Sequence, residues 1–279
     1  MPELPEVETV VNGIRPFFET STILSMDLKR PNLRFPFPPS FQDRLVGTTV
    51  TKVYRRAKYI CMDLSSKETL LCHLGMSGRL ILDESEEASK HDHVFFTMSQ
   101  QSSQKVIRYR DPRRFGFMDL VKTREFSNSK FIKHLGPEPL EADFSVPYLQ
   151  SQLKTKKMPI KTALMDAKIV VGVGNIYASE ALFYANIHPQ TPAMHVADNE
   201  NTIKRLIHSI QNVLQGAILS GGSTLRDHVR PDGKLGYFQH NFRVYDKAGT
   251  LCKTCKTASI EKIVQSGRST FFCPHCQRI

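Results

Sequence analysis

Apolar and polar positions along this chain change rhythm three times. Val7, Val10, Val11 and Ile14 recur at helical spacing just behind Pro5, Glu6 and Glu8. That predicts a first helix, opened by proline, with carboxylates at the positive end of its dipole. From 22 to 120 the pattern shortens to β-branched and aromatic runs, among them 51–54, 59–64, 93–98 and 106–109, separated by turn residues. Helical spacing then returns, in short segments over 147–156, 159–168 and 176–184 and in a long one over 201–219. The long segment sets Ile203, Leu206, Ile207, Ile210, Val213, Leu214 and Ile218 on one face. Residues 136–146, with Gly136, Pro137 and Pro139, read as a linker, and 221–240, with four glycines, as a mobile loop. The end of the chain returns to strands. The pattern predicts an α+β fold divided into 1–135, the linker 136–146, 147–240 and 241–279.

Composition narrows the class. Hydrophobic residues make up 40% of the chain and tryptophan is absent, as in an ordinary globular protein. No apolar run reaches the roughly 18 residues of a membrane span. Nor does the N-terminus carry the basic and apolar stretches of an export signal. Lys and Arg outnumber Asp and Glu by 38 to 27, a net charge of +11, which suits a polyanionic partner such as nucleic acid.

The cysteines are more specific. Cys61 and Cys72 stand alone on apolar strands and read as buried thiols. Cys252-Lys-Thr-Cys255 and Cys273-Pro-His-Cys276 are two C-x₂-C knuckles separated by 17 residues. Two such knuckles on a β-hairpin supply four thiolates to one tetrahedral zinc ion, a closed and therefore structural site. Between them, Gly267-Arg268-Ser269-Thr270 forms a hairpin tip whose guanidinium and hydroxyls suit phosphate.

Two further segments carry candidate chemistry. Val171-Gly-Val-Gly-Asn175 is a two-glycine turn running into a helix, where free N–H groups and the Asn175 amide can hold an anion; Asn175 also suits an ordinary N-cap. Residues 108–116 pack four arginines and two aromatics, a composition suited to wedging into a base stack, or to an exposed turn at a sheet edge. Pro2 has a singular position. Removal of Met1 turns its nitrogen into a secondary amine that is partly neutral near pH 7.7–8.0, and such an amine attacks carbonyl-like carbon to give an iminium with no N–H to lose. Helix-start logic accounts for Pro5 and its carboxylates without requiring Pro2 or Glu3.

Taken together these stretches resemble the bacterial formamidopyrimidine-DNA glycosylases. The match rests on Pro2–Thr9, Ala57-Lys-Tyr59, His73-Leu-Gly-Met-Ser-Gly78, Asp111-Pro-Arg-Arg-Phe-Gly116, 171–182, 221–227 and the cysteine hairpin, in order along the chain. The resemblance implies an N-terminal β-sandwich flanked by helices and a helix–two-turn–helix domain ending in the four-cysteine zinc hairpin. It implies a bifunctional glycosylase and abasic-site lyase of base excision repair, acting on duplex DNA with oxidised purines or abasic sites. It also implies a monomer with one structural Zn2+, working in the bacterial cytoplasm at the nucleoid. By position, Pro2 becomes the nucleophile, Glu3 the acid/base, and Lys58 a cation beside the lesion phosphate, with Arg268 assisting. His73, Asn175 and Arg268 become phosphate clamps, Met76, Arg113 and Phe115 the void-filling residues, and Lys157 a further DNA contact. The loop 221–238 would cover the extruded base. Two rivals are the related endonuclease VIII, whose N-terminus usually reads Pro-Glu-Gly-Pro where this chain has Pro-Glu-Leu-Pro, and a non-catalytic DNA-binding relative.

Overall fold

The opening apolar rhythm folds as helix α1 (Leu4–Phe18), which buries Val7, Val10, Val11, Ile14 and Phe18 on one side. Glu3 is its N-cap and Pro5 its second residue, so the helix begins one step earlier than Pro5 alone suggests. A capping box closes the start: the Glu3 carboxylate accepts the Glu6 N–H, and the Glu6 carboxylate accepts the Glu3 N–H at 2.9 Å. The structure, a computed structural model, describes residues 1–82, 87–100, 103–223 and 236–278. Residues 1–133 with 220–237 form one unit, and 134–219 with 238–279 form the other.

In the first unit the alternating runs become β1 (Ile23–Leu28), a short helix α2 (Phe41–Leu45), and then β2 (Val50–Arg56), β3 (Tyr59–Leu64) and β4 (Glu68–His73). They continue through β5 (Arg79–Ile81), β6 (Asp92–Gln100), β7 (Ser103–Arg110) and β8 (Phe117–Lys122). Two antiparallel four-stranded sheets result, β1-β6-β7-β5 and β2-β3-β4-β8. Both contribute to a single core with α1, including Phe96, Met98 and Ile107 from one sheet and Ile60, Met62 and Leu70 from the other. Cys61 and Cys72 are buried thiols, as their strands suggest.

The second unit holds α3 (Val146–Leu153), α4 (Ile160–Leu164), α5 (Asn175–Tyr184), α6 (Ala193–Ala197) and α7 (Glu200–Leu219), then the hairpin β9 (Glu261–Gln265) and β10 (Arg268–Phe272). The apolar face of α7 is buried from Ile203 to Leu214, with Ala217 rather than Ile218 completing it. Helix α5 is different, for Tyr177 through Phe183 are all buried. Within that apolar run Glu180 accepts the backbone N–H groups of Arg243, Val244 and Tyr245 at 2.8–3.0 Å, fastening the approach to the zinc hairpin. Burial raises the Glu180 carboxyl pKa, while the three N–H groups pull it down. Glu180→Ala removes the partner of three backbone donors, that of Val244 buried, and should lower unfolding stability by about 2 kcal/mol in urea titrations.

Candidate functional site

The position of the chain's first residues follows from how α1 docks. Near its end, Arg15 Nε donates to Val53 O at 3.3 Å, and further back Glu8 pairs with Arg55 at 2.7 Å. The helix therefore runs antiparallel to β2, and its first turn comes to the Ala57–Lys58 turn that joins β2 to β3. Pro2 is buried and Glu3 is 4% exposed, whereas Met1 is 55% exposed. His73 ends β4 opposite Tyr59, next to that turn. Its imidazole packs on Tyr59 and Phe117 with centroids 5.2 Å away in both cases, and its Nδ1 accepts the Gly75 N–H at 3.1 Å. The proton of the neutral ring therefore sits on Nε2. Burial, followed by the charges of Lys58 and Arg34, lowers the His73 pKa to about 4, and the chain's amino terminus adds to that pressure. Lys58, His73 and the terminus thus share one neighbourhood.

Glu6 adds a second fastening that the sequence did not reveal. Its Oε1 accepts both the N–H and the hydroxyl of Ser223 at 2.8 and 2.9 Å. Ser223 in turn bridges Tyr237, so both ends of the 224–236 stretch are anchored beside α1. The expected cover loop itself falls mainly on 224–235, outside the described residues.

Two loops place the void-filling candidates together. Asp111, fully buried, accepts the Ser77 hydroxyl at 2.6 Å and the Gly116 N–H at 2.8 Å, and Ser77 Oγ accepts the Arg113 N–H at 3.1 Å. Gly75 lies so close that a Cβ there would sit 2.4 Å from the backbone of Phe115 and Gly116, and its φ of +63° also favours glycine. On this base Met76 and Phe115 stay partly exposed, with the Arg113 guanidinium 5.0 Å from the Phe115 ring. The arginine-rich segment is not uniform, however. Arg108 and Arg110 are buried against Asp92, at 3.1 and 2.5 Å, so only Arg113 and Arg114 remain as outward cations there.

In the second unit Asn175 is not a side-chain cap, because Gly174 is the N-cap of α5. Its amide is used elsewhere: Nδ2 donates to Ser269 O at 2.9 Å and Oδ1 accepts from Lys161 Nζ at 2.5 Å. Lys161, only 1% exposed, also donates to Thr270 Oγ1 at 2.7 Å and Ser269 O at 3.3 Å. This buried ammonium ties the glycine turn to the hairpin that carries Arg268. Sequence reasoning passed over it, although a lysine inside the apolar stretch 160–164 was a readable signal. The hairpin tip is Ser266-Gly267 with φ of 49° and 73°, the two positive values of a type I′ turn, and Arg268 is exposed beside it. Lys157 is exposed in the turn between α3 and α4.

The four cysteine sulfurs lie within 4.8 Å of one another, with Cys252–Cys276 and Cys255–Cys273 at 3.9 and 3.7 Å. A tetrahedron with Zn–S bonds of about 2.3 Å has edges near ~3.8 Å, so the donor set fits one zinc ion, held for structure.

A two-sheet unit with a buried N-terminal turn, and a helical unit ending in a four-cysteine hairpin, define the class of architecture. The chain belongs to the formamidopyrimidine-DNA glycosylase family. Residues 1–118 match the family's N-terminal domain, 135–229 its H2TH domain, and 249–279 the zinc finger found in FPG and IleRS. The formamidopyrimidine-DNA glycosylase of Roseobacter denitrificans is 48% identical, with both chains fully covered. Among solved structures, the MutM (FPG) protein of Thermus thermophilus superposes with a TM-score of 0.87 at 34% identity, covering 99% of this chain and 98% of that one. A Lactococcus lactis FPG mutant bound to Fapy-dG-containing DNA does so with 0.89 at 33% identity, covering both chains fully.

Two measurements check this geometry. The depressed His73 pKa means that its contribution to stability is present above the unfolded value, about 6.5, and is lost as pH falls toward 4. Its imidazole NMR signals should accordingly hold their neutral positions from pH 8 down to about 5; a midpoint above pH 6 would contradict the burial argument. Lys161→Met orphans Asn175 Oδ1 and Thr270 Oγ1 and should cost about 2 kcal/mol of stability, measured by denaturant unfolding.

Proposed function

We propose that the chain is a bifunctional DNA glycosylase and abasic-site lyase of base excision repair that removes oxidised purines from duplex DNA. The observation that carries this reading is the docking of α1, which buries Pro2 and Glu3 at the turn holding Lys58. Family membership and the relative solved with Fapy-dG-containing DNA support the same substrate class. The boundaries proposed for this work are a catalytic 1–135, a helix–two-turn–helix 147–240 and a zinc hairpin 241–279, with 136–146 between the first two. The setting proposed is the bacterial cytoplasm, at the nucleoid.

With Met1 removed, the Pro2 amine attacks C1′ of the damaged nucleotide, and the base leaves as the C–N bond breaks. Glu3 exchanges a proton with the ring oxygen as the sugar opens, which leaves an iminium between Pro2 and C1′. The iminium draws electrons from C2′. Loss of a C2′ proton expels the 3′ phosphate, and a second elimination expels the 5′ phosphate, leaving a one-nucleotide gap. Water then hydrolyses the iminium and regenerates Pro2. Lys58 offsets charge on the leaving phosphate. Neutral His73 offers Nε2–H and Arg268 its guanidinium to phosphates around the flipped nucleotide, while Asn175, whose Nδ2 donates to Ser269 O and Tyr245 Oη in the free protein, gives up one of those bonds to reach a phosphate. Met76, Arg113 and Phe115 enter the vacated stack, and Lys157 adds a backbone contact.

Borohydride should trap a covalent adduct with an 8-oxoguanine duplex when intact mass shows that the protein starts at Pro2. The same preparation retaining Met1 should give none, because its Pro2 nitrogen is an amide. Absence of adduct from the processed protein would sink the mechanism.

A further inference from the structure

The second unit contains a groove of about 680 Å³ at the far end of α5 from Asn175. Tyr184 closes that helix, about 14 Å along its axis from Asn175, and lines the groove with one face of α7, residues 238–243 and Lys253 of the first knuckle. The hairpin tip carrying Arg268 lies at the opposite end of β9 and β10 from the knuckles, so the groove is distinct from the Lys161–Asn175–Thr270 cluster.

Its chemistry is one-sided. No carboxylate lines it among the described residues, while Arg243, Lys253, His208 and His240 do. Arg243 is held in place at both ends: its backbone N–H donates to buried Glu180, and its Nε donates to Tyr184 Oη at 3.1 Å. Among the described residues, the two terminal guanidinium nitrogens and the Lys253 ammonium have no hydrogen-bond or ion-pair partner. A fixed guanidinium fork beside an ammonium is a setting for a phosphate. The volume exceeds what a phosphate alone would fill and lies within the range of small-molecule sites. The remaining lining is aromatic and amide: the half-exposed Tyr184 ring, the edge of Phe238, and the amides of Asn212 and Asn241. That combination matches a flat heterocycle with polar edges.

We propose that this groove binds a nucleoside phosphate, with the phosphate on Arg243 and Lys253 and the base against Tyr184. The ligand has two sources, a free mononucleotide or the phosphorylated end of a nucleic-acid strand. The site is independent of the proposed chemistry at Pro2.

Calorimetric titration of the full chain with deoxyguanosine 5′-monophosphate tests it, beside deoxyguanosine and inorganic phosphate alone. The nucleotide should bind more tightly than either part. Arg243→Gln and Lys253→Ala should each weaken it roughly tenfold, the loss of one charge-assisted hydrogen bond, with duplex cleavage unchanged. Lys253 is exposed, so its variant keeps the test meaningful if loss of the Arg243–Tyr184 contact disturbs folding. Tetranucleotides with and without a 5′ phosphate separate the sources: binding of the phosphorylated strand in place of the mononucleotide assigns the groove to strand ends. No nucleotide binding by either source, undiminished binding in both variants, or binding abolished by Arg268→Ala would overturn the proposal. So would preference for a glutamate-rich peptide over every nucleotide.

Discussion

A nucleophile at a chain terminus, the role proposed for Pro2, is tethered on one side only, and termini are ordinarily the least ordered part of a fold. Here the constraint is met by α1. Its apolar face is buried along its length, and the Glu8–Arg55 pair, with Arg15 on Val53 O, fixes its register against β2. The capping box then holds residues 3–6 rigid at the helix start. Each step is local, yet together they convert a loose end into a buried turn beside Lys58. Glu6 extends this by fastening Ser223 with two hydrogen bonds, so the terminus and the anchor of the 224–236 stretch share one carboxylate. Reorienting either one disturbs the other.

The same device recurs at two loops that carry proposed DNA contacts and at the approach to the zinc hairpin. Asp111 binds the Met76 and Phe115 loops, Lys161 binds the glycine turn to the hairpin, and Glu180 binds 243–245 to α5. Burying a charge carries a desolvation cost of several kcal/mol, repaid only when its lone pairs or protons are satisfied. All three meet that condition, with two to three partners at 2.5–3.3 Å. A loop held this way gains fixed direction for side chains on its far side. Apolar packing could not supply that, because loops of this length have few core contacts.

What the sequence made legible follows the range of the interaction. The zinc hairpin is written in spacing over a few residues, and the helices of the second unit in a 3.6-residue period, so both were readable. Helices α2 and α6 and strand β5 are too short to show any period. The harder cases are charges whose meaning is set by distant partners. Arg108 and Arg110 look like Arg113 and Arg114 in sequence, but alternation along β7 and the presence of Asp92 sixteen or more residues earlier make them internal. Conversely, Lys161 and Glu180 stand in apolar runs, where an isolated charge signals a buried partner, yet the partner's identity lies 14 to 109 residues away. Glu3 shows how two explanations can coexist. It is a helix cap by geometry, which does not compete with a proton-transfer role because a carboxylate has two oxygens and several lone pairs.

If Met76 and Phe115 act as the proposed wedge, the free energy of lesion extrusion depends on what they leave behind in the unbound protein. Met76 and Phe115 are 36% and 43% exposed, and the Phe115 ring stands in a cation–π contact with the Arg113 guanidinium. Flipping a nucleotide costs a few kcal/mol in lost stacking and pairing. As the proposed wedge, two side chains already partly in water would recover transfer free energy on entering the stack, about 25 cal/mol for each Å² of apolar surface removed from solvent. Had they been buried in the free state, insertion would first expose them and the gain would vanish. The rigid base formed by Asp111, Ser77 and Gly75 keeps them out of the core, so under the proposed wedge role their exposure in the unbound protein would supply driving force for the flip.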